Sequence, residues 1–152
     1  MDMPHVDSAC KTLMIVEDEV LVAMTLRDEL EEAGYDVLDL TERPEEAIAF
    51  ALESAPDLAL VNIQLNGRND GIALAEQLKA LNIPVLFISG QVSRAKTAQT
   101  VAIGSMPKPY SPTDMVLAVT WLLASLKGDE SRFRPAGLEV FPTNTDEIAS
   151  AQ

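Results

Sequence analysis

Five short apolar runs alternate with stretches of helical period over the first 126 residues. The runs are Thr12 to Val16, Tyr35 to Leu40, Leu58 to Val61, Pro84 to Ile88 and Ile103 to Met106. Three of them are nearly continuous in apolar residues, as expected of strands covered on both faces of a parallel sheet. Between them, Glu19 to Ala33 places Val22, Ala23, Leu26, Leu30 and Ala33 on one helical face, with Gly34 as its stop. Pro44 opens a helix running to about Ser54. Gly71 to Leu81 repeats apolar residues at Ile72, Leu74, Ala75, Leu78 and Leu81, and the polar stretch Gly90 to Ala102 predicts a short, loosely packed helix. The last helix has the clearest start. Ser111 is its predicted N-cap, Pro112 its first residue and Asp114 the third position of a capping-box-like turn. Met115, Val119, Leu122, Leu123 and Leu126 form its predicted core stripe. This alternation with short connections predicts an α/β fold with a doubly wound, five-stranded parallel sheet.

The ends of the chain read differently. Residues 1–10 predict an N-terminal tail, residues 11–126 the folded domain, and residues 127–152 a C-terminal tail without periodicity, expected to be disordered. No stretch is long enough to predict a second domain with a nucleic-acid-binding output. The net charge of −13 predicts repulsion of nucleic acid and anionic lipid, and suits a metal cation or a basic partner as well as a plainly solvated surface. Cys10 is the sole cysteine, so no internal disulfide is possible. His5, the sole histidine, lies in the predicted tail and is expected to be inert. No apolar run approaches the roughly 20 residues of a membrane span. The expectation is a soluble, cytoplasmic protein with no secretory signal.

Functional groups in an open parallel sheet gather beyond the carboxyl ends of the strands. Glu17 and Asp18 fall at the end of the first run, Asn62 at the end of the third, Ser89 at the end of the fourth and Lys108 just past the fifth. Five separated residues are thus predicted to meet at one cleft. Paired carboxylates suit a hard cation such as Mg²⁺. A hydroxyl and an ammonium suit two phosphoryl oxygens as charge spreads onto them. A carboxylate between them would attack phosphorus and carry an acyl phosphate. At that place stands Asn62, whose amide oxygen is a poor nucleophile.

The motifs "VEDE" (16–19), "LVNIQLNG" (60–67), "DGIALA" (70–75), "FISG" (87–90) and "KPY" (108–110), in this order and at strand ends, resemble the receiver domain of bacterial response regulators over about Lys11 to Leu126. The resemblance is to the CheY-like superfamily, with the phospho-acceptor aspartate replaced by asparagine. It implies a flavodoxin-like (βα)5 fold. It also implies a Mg²⁺ site made by Glu17, Asp18, position 62 and the Gln64 main-chain carbonyl, a switch hydroxyl at Ser89, a phosphoryl-contacting Lys108 and an acceptor at position 62. The implied partner is a histidine kinase or histidine phosphotransfer protein, docking near Val20, Met24 and Tyr110, and the implied protein is a non-enzymatic signalling module. Departures from the family pattern are Asn62 itself, Ser105 where an aromatic switch residue is usual, a short stretch from Ser89 to Lys108, and a slightly long loop after Asn62 that lacks the usual proline. Asn62 fits either a natural pseudo-receiver or an active receiver silenced by substitution.

Each residue also has a plainer reading. Acids after a strand serve as the start of a helix, Asn62 as a turn residue, Ser89 as a strand-end cap and Lys108 as a solvated loop charge. Leu117 and Trp121 lie off the predicted core stripe of the last helix. They suit either a homodimer surface or simple packing over neighbouring side chains, and Val20 and Met24 are likewise divided between docking and burial. The function expected is a single-domain receiver in two-component phosphorelay signalling that is not phosphorylated at position 62. The alternative is a constitutive, phosphate-independent interaction module. A flavin-binding domain of similar fold is disfavoured, because acids stand after the first strand where a Ser/Thr-rich phosphate loop is needed.

Overall fold

A computed structural model describes residues 11–65, 70–90, 99–129 and 131–142. The elements in chain order are β1 (Thr12–Val16), α1 (Val20–Glu32), β2 (Asp36–Val37), α2 (Pro44–Ser54), β3 (Leu58–Asn62), α3 (Asp70–Ala80), β4 (Val85–Ser89), β5 (Gly104–Pro107), α4 (Pro112–Leu126) and β6 (Glu139–Val140). The sheet order is β2-β1-β3-β4-β5-β6. The first five strands are parallel, and β6 runs antiparallel to β5. Chain order reverses between β1 and β3, the switch point at which such sheets open a crevice above their carboxyl ends.

Alternation along the strands divides the core in two. Met14, Val16, Ala59, Val61, Val85 and Phe87 face α2 and α3, while Leu13, Ile15, Leu58, Leu60, Leu86 and Ile88 face α1 and α4. Both faces are therefore apolar, and the central strands lack the polar–apolar alternation of a half-exposed sheet. α1 buries Ala23, Leu26 and Leu30. Ala33, predicted on the same face, is its exposed C-cap and falls beyond the reach of the sheet. α4 starts as predicted, with the Ser111 hydroxyl accepting from the Asp114 amide at 3.0 Å. Its stripe stops at Leu123, because Leu126 closes the last turn in solvent. α3 packs close against the end of β3. A Cβ on Gly71 would strike the Asn62 and Ile63 backbone, so the helix approaches the site-bearing strand at a position that only glycine permits.

Three expectations are corrected. The second strand is two residues long rather than six, although Leu38 still donates to Leu13 and Thr41 bridges Val16 beside β1. As an edge strand it has one neighbour to pair with. The tail is not structureless over residues 131–142. Leu138 and Phe141 are buried, β6 takes the open edge of β5, and a Cβ on Gly104 would meet the Glu139 carbonyl oxygen at 2.7 Å. Of the two readings of Trp121, its burial fits packing over neighbouring side chains and corrects the dimer-surface one. Trp121 is 8% exposed, packs in the α1–α4 core and lies 5.6 Å beneath the Arg134 guanidinium of that same tail. Leu117 remains exposed. The helix predicted within Gly90–Ala102 falls mainly on residues 91–98, and the long loop after Asn62 on residues 66–69, both outside the described residues.

Phe141 makes this covering testable. Its ring joins the α2–α3 core, so Phe141→Ala is expected to lower the free energy of unfolding by about 3 kcal/mol in urea melts. A substitution within a disordered tail would leave the midpoint unmoved.

Candidate functional site

The carboxyl ends of β1, β3 and β4, with the turn after β5, bring five of the predicted residues to one cleft of about 430 Å³. It is lined by Asp18, Glu19, Asn62, Gln64, Ser89, Gly90 and Lys108. Glu17 lies beneath its floor, 4% exposed. Asn62 and Ser89 end their strands and are buried, while Gln64 is exposed. The Lys108 amide donates to the Ser89 carbonyl oxygen at 2.9 Å, which seats the lysine turn beside β4.

The Asn62 side chain faces the acids through its nitrogen. Nδ2 donates to Glu17 Oε2 at 3.1 Å and to Asp18 Oδ1 at 3.1 Å, so its two hydrogens bridge the two carboxylates. An ionised carboxylate only accepts, and the amide oxygen turned toward it would be repelled. Glu17 Oε2 also accepts the Glu19 amide at 3.0 Å. Glu17 Oε1, by contrast, accepts no hydrogen bond among the described residues, although Lys108 Nζ stands 3.4 Å away. That approach is a charge contact without hydrogen-bond geometry. The ammonium instead donates to Glu19 Oε1 at 3.1 Å.

Glu19 was not among the predicted site residues. The signal for it was present in "VEDE", a third acid that becomes the N-cap of α1 and turns back toward the cleft.

Burial raises the Glu17 carboxyl above its ordinary value, and the Glu19 amide and the Lys108 charge offset only part of that. Burial works against the Lys108 ammonium as well. The Glu17 charge and the Glu19 hydrogen bond outweigh it and hold the lysine above its ordinary value. Tyr110, half-buried beside the acids, is pushed up to about 12, first by burial and then by the Glu17 and Glu19 charges. In an ultraviolet pH titration, one of the two tyrosines should ionise only near 12, and Tyr110→Phe should remove that step. Its share of stability is fully present below the ordinary phenol value and is lost as the pH rises through 12. Complete phenolate formation near the ordinary value would count against this packing.

A second, mostly apolar hollow of about 590 Å³ adjoins the cleft and shares Glu19 and Lys108 with it. Leu21, Val22, Thr25 and Leu26 of α1, with Pro109, Tyr110 and Pro112, line the rest. Val20 and Leu21 stand 63% and 79% exposed on the α1 rim, with Met24 partly exposed behind them.

The response regulator receiver domain profile matches residues 13–120. The chain belongs to the response regulator receiver family. Among curated proteins the receiver resembles the phosphate regulon transcriptional regulatory protein PhoB of Pseudomonas aeruginosa, 32% identical over 113 residues that cover 70% of this chain and 48% of that protein. It also resembles the phyllosphere-induced regulator PhyR of Methylorubrum extorquens, 32% identical over 114 residues, covering 73% and 43%. The chain thus spans about half the length of the curated relatives it matches. Among solved structures, the signal receiver domain of a modulated diguanylate cyclase from Desulfovibrio desulfuricans superposes with a TM-score of 0.67 at 35% identity. That match covers 78% of this chain and 97% of that one. A response regulator receiver domain protein (CheY-like) from Methanospirillum hungatei superposes with a TM-score of 0.69 at 22% identity, covering 79% and 98%, a likeness of fold alone. The receiver's five parallel strands follow the flavodoxin-like order 2-1-3-4-5, with β6 added at the β5 edge. Among the described residues, no helix is long and apolar enough to cross a membrane.

The oxygen donors suit a hard divalent cation. Glu17 and Asp18 are carboxylates, and the buried Glu17 Oε1 lacks a hydrogen bond among the described residues. Among the described residues, no three His, Cys, Asp or Glu side chains form a metal cluster. At position 62 the side chain is an amide, and its nitrogen faces the two acids.

Proposed function

We propose that this receiver works in two-component signalling without accepting a phosphoryl group at position 62, acting through protein contact. The observation that supports this most is the Asn62 amide, neutral and hydrogen-bonded through its nitrogen to both acids at the acceptor position. The neighbouring residues support the reading of this cleft as a phosphoryl-transfer site by descent. Ser89 and Lys108 line the same cleft and would hold phosphoryl oxygens as charge develops on them. Glu17, Asp18 and the Gln64 main-chain carbonyl would hold Mg²⁺, which neutralises phosphoryl charge when bound. The rest of the chemistry needs one anionic oxygen at position 62.

The partner is a histidine kinase or histidine phosphotransfer protein, and the exposed Val20 and Leu21 with Met24 give it an apolar rim beside the cleft. A homodimer through the last helix would have to use the exposed Leu117 without Trp121, which is buried. The second reading, a constitutive interaction module, is supported by the same hydrogen bonds from Asn62 to the two acids, which need no phosphoryl group. Binding of the histidine phosphotransfer partner, measured for the chain and for Asn62→Asp with a small phosphodonor and Mg²⁺, separates the two readings. A change confined to phosphorylated Asn62→Asp supports a silenced receiver, and identical binding throughout supports the constitutive module.

A further inference from the structure

Among the described residues, three acids, Glu17, Asp18 and Glu19, stand at the cleft with the Lys108 ammonium beside Glu17 and Glu19. Carboxylates brought together repel unless a cation or hydrogen-bond donors compensate them, most of all at the buried Glu17. Here part of that work is done from within. One hydrogen of the Asn62 amide goes to Glu17 and the other to Asp18, at equal distances of 3.1 Å. The Glu19 amide supplies a second donor to Glu17 Oε2, and Lys108 supplies the charge beside Oε1.

We propose that the Asn62 side-chain NH₂ is a built-in stand-in for the divalent cation: it plugs the space between Glu17 and Asp18, so that the site is closed without metal and a cation enters only by expelling the amide. This rests on the receiver reading of the cleft and deepens it. Asparagine here does more than remove a nucleophile. It exchanges a carboxylate that would need a cation for a donor that competes with one. Asn62→Asp would instead place a further carboxylate against Glu17 and Asp18 and remove the two hydrogens that now lie between them.

The sign of one substitution decides the matter, because the amide carries both a competing NH₂ and a possible oxygen ligand. Mn²⁺ alone is titrated into the intact chain, Asn62→Ala and Asn62→Asp, with binding followed by calorimetry and by paramagnetic broadening of amide resonances. If the amide is a plug, Asn62→Ala binds Mn²⁺ more tightly than the unaltered chain despite losing an oxygen, and Asn62→Asp binds more than about tenfold more tightly still. Equal or weaker binding by Asn62→Ala overturns the proposal, because the amide is then a ligand or a bystander. Should Asn62→Ala not fold, judged by the emission of the buried Trp121, melting of the unaltered chain decides. The proposal expects the same melting temperature in EDTA and in millimolar Mg²⁺, and a rise with Mg²⁺ refutes it. Phosphoryl uptake at Asn62 by the unaltered chain would overturn the functional reading instead, and it is seen by mass, independently of either cation measurement.

Discussion

Acetyl phosphate with Mg²⁺ is expected to leave the mass of this chain unchanged and to add one phosphoryl group to Asn62→Asp. The difference should be all or none, because it depends on a nucleophile rather than on affinity. The Asn62 nitrogen shares its lone pair with the carbonyl and spends both hydrogens on Glu17 and Asp18, and the amide oxygen carries no formal charge. Aspartate at the same strand end would offer an anionic oxygen to phosphorus, with acetate leaving and an acyl phosphate forming. The Lys108 and Ser89 side chains line the cleft into which those oxygens would move. Intact-mass spectrometry reads the result directly. If neither form is modified, the remaining groups do not perform the transfer and the constitutive interaction module is the better reading. Modification of the unaltered chain would place the acceptor elsewhere, with Asp18 the first residue to replace.

Convergence of this cleft was legible because topology alone carries it. Short apolar runs with acids, Asn62, Ser89 and Lys108 at their ends can point to only one edge of a parallel sheet. The start of α4 was legible for a local reason, since Ser111, Pro112 and Asp114 need no tertiary contact to favour a helix. What was not legible depends on contacts distant in sequence. β6 is two residues long and sits among Pro135, Gly137 and Pro142, so it carries no period. Its pairing is visible only once β5 has an open edge. Trp121 packs into the α1–α4 core with Arg134 of the same tail over its ring, whereas the helical wheel placed the ring off the core stripe. Glu19 was missed because a third consecutive acid reads as helix-start charge until the lysine turn is seen opposite it. Direction was the other gap. Spacing put Asn62 near the acids, but the hydrogen bonds show which end of the amide meets them.

Lys108→Ala should be the most destabilising single change in the site. Glu17 is almost wholly buried, and its Oε1 has no hydrogen bond among the described residues; after the Glu19 amide, the ammonium at 3.4 Å is the group that most offsets its burial. Removing one member of a buried pair costs about 3–5 kcal/mol. The Lys108 side chain keeps 25% exposure, and the solvent screening this allows reduces the expectation to about 2–3 kcal/mol at neutral pH.

The pH dependence has a definite sign. Burial raises the folded Glu17 carboxyl above its unfolded value. Its contribution is therefore most favourable below the ordinary carboxylate range and is lost as the pH rises through the folded titration. Lys108 offsets that loss, so without it the folded carboxyl moves higher and the loss deepens. Urea melts across pH should show the gap between Lys108→Ala and the unaltered chain widest near neutrality and shrinking on acidification. A gap that stays constant with pH would mean that the lysine acts through packing of its alkyl stem, or through Glu19 alone, and that Glu17 does not depend on its charge.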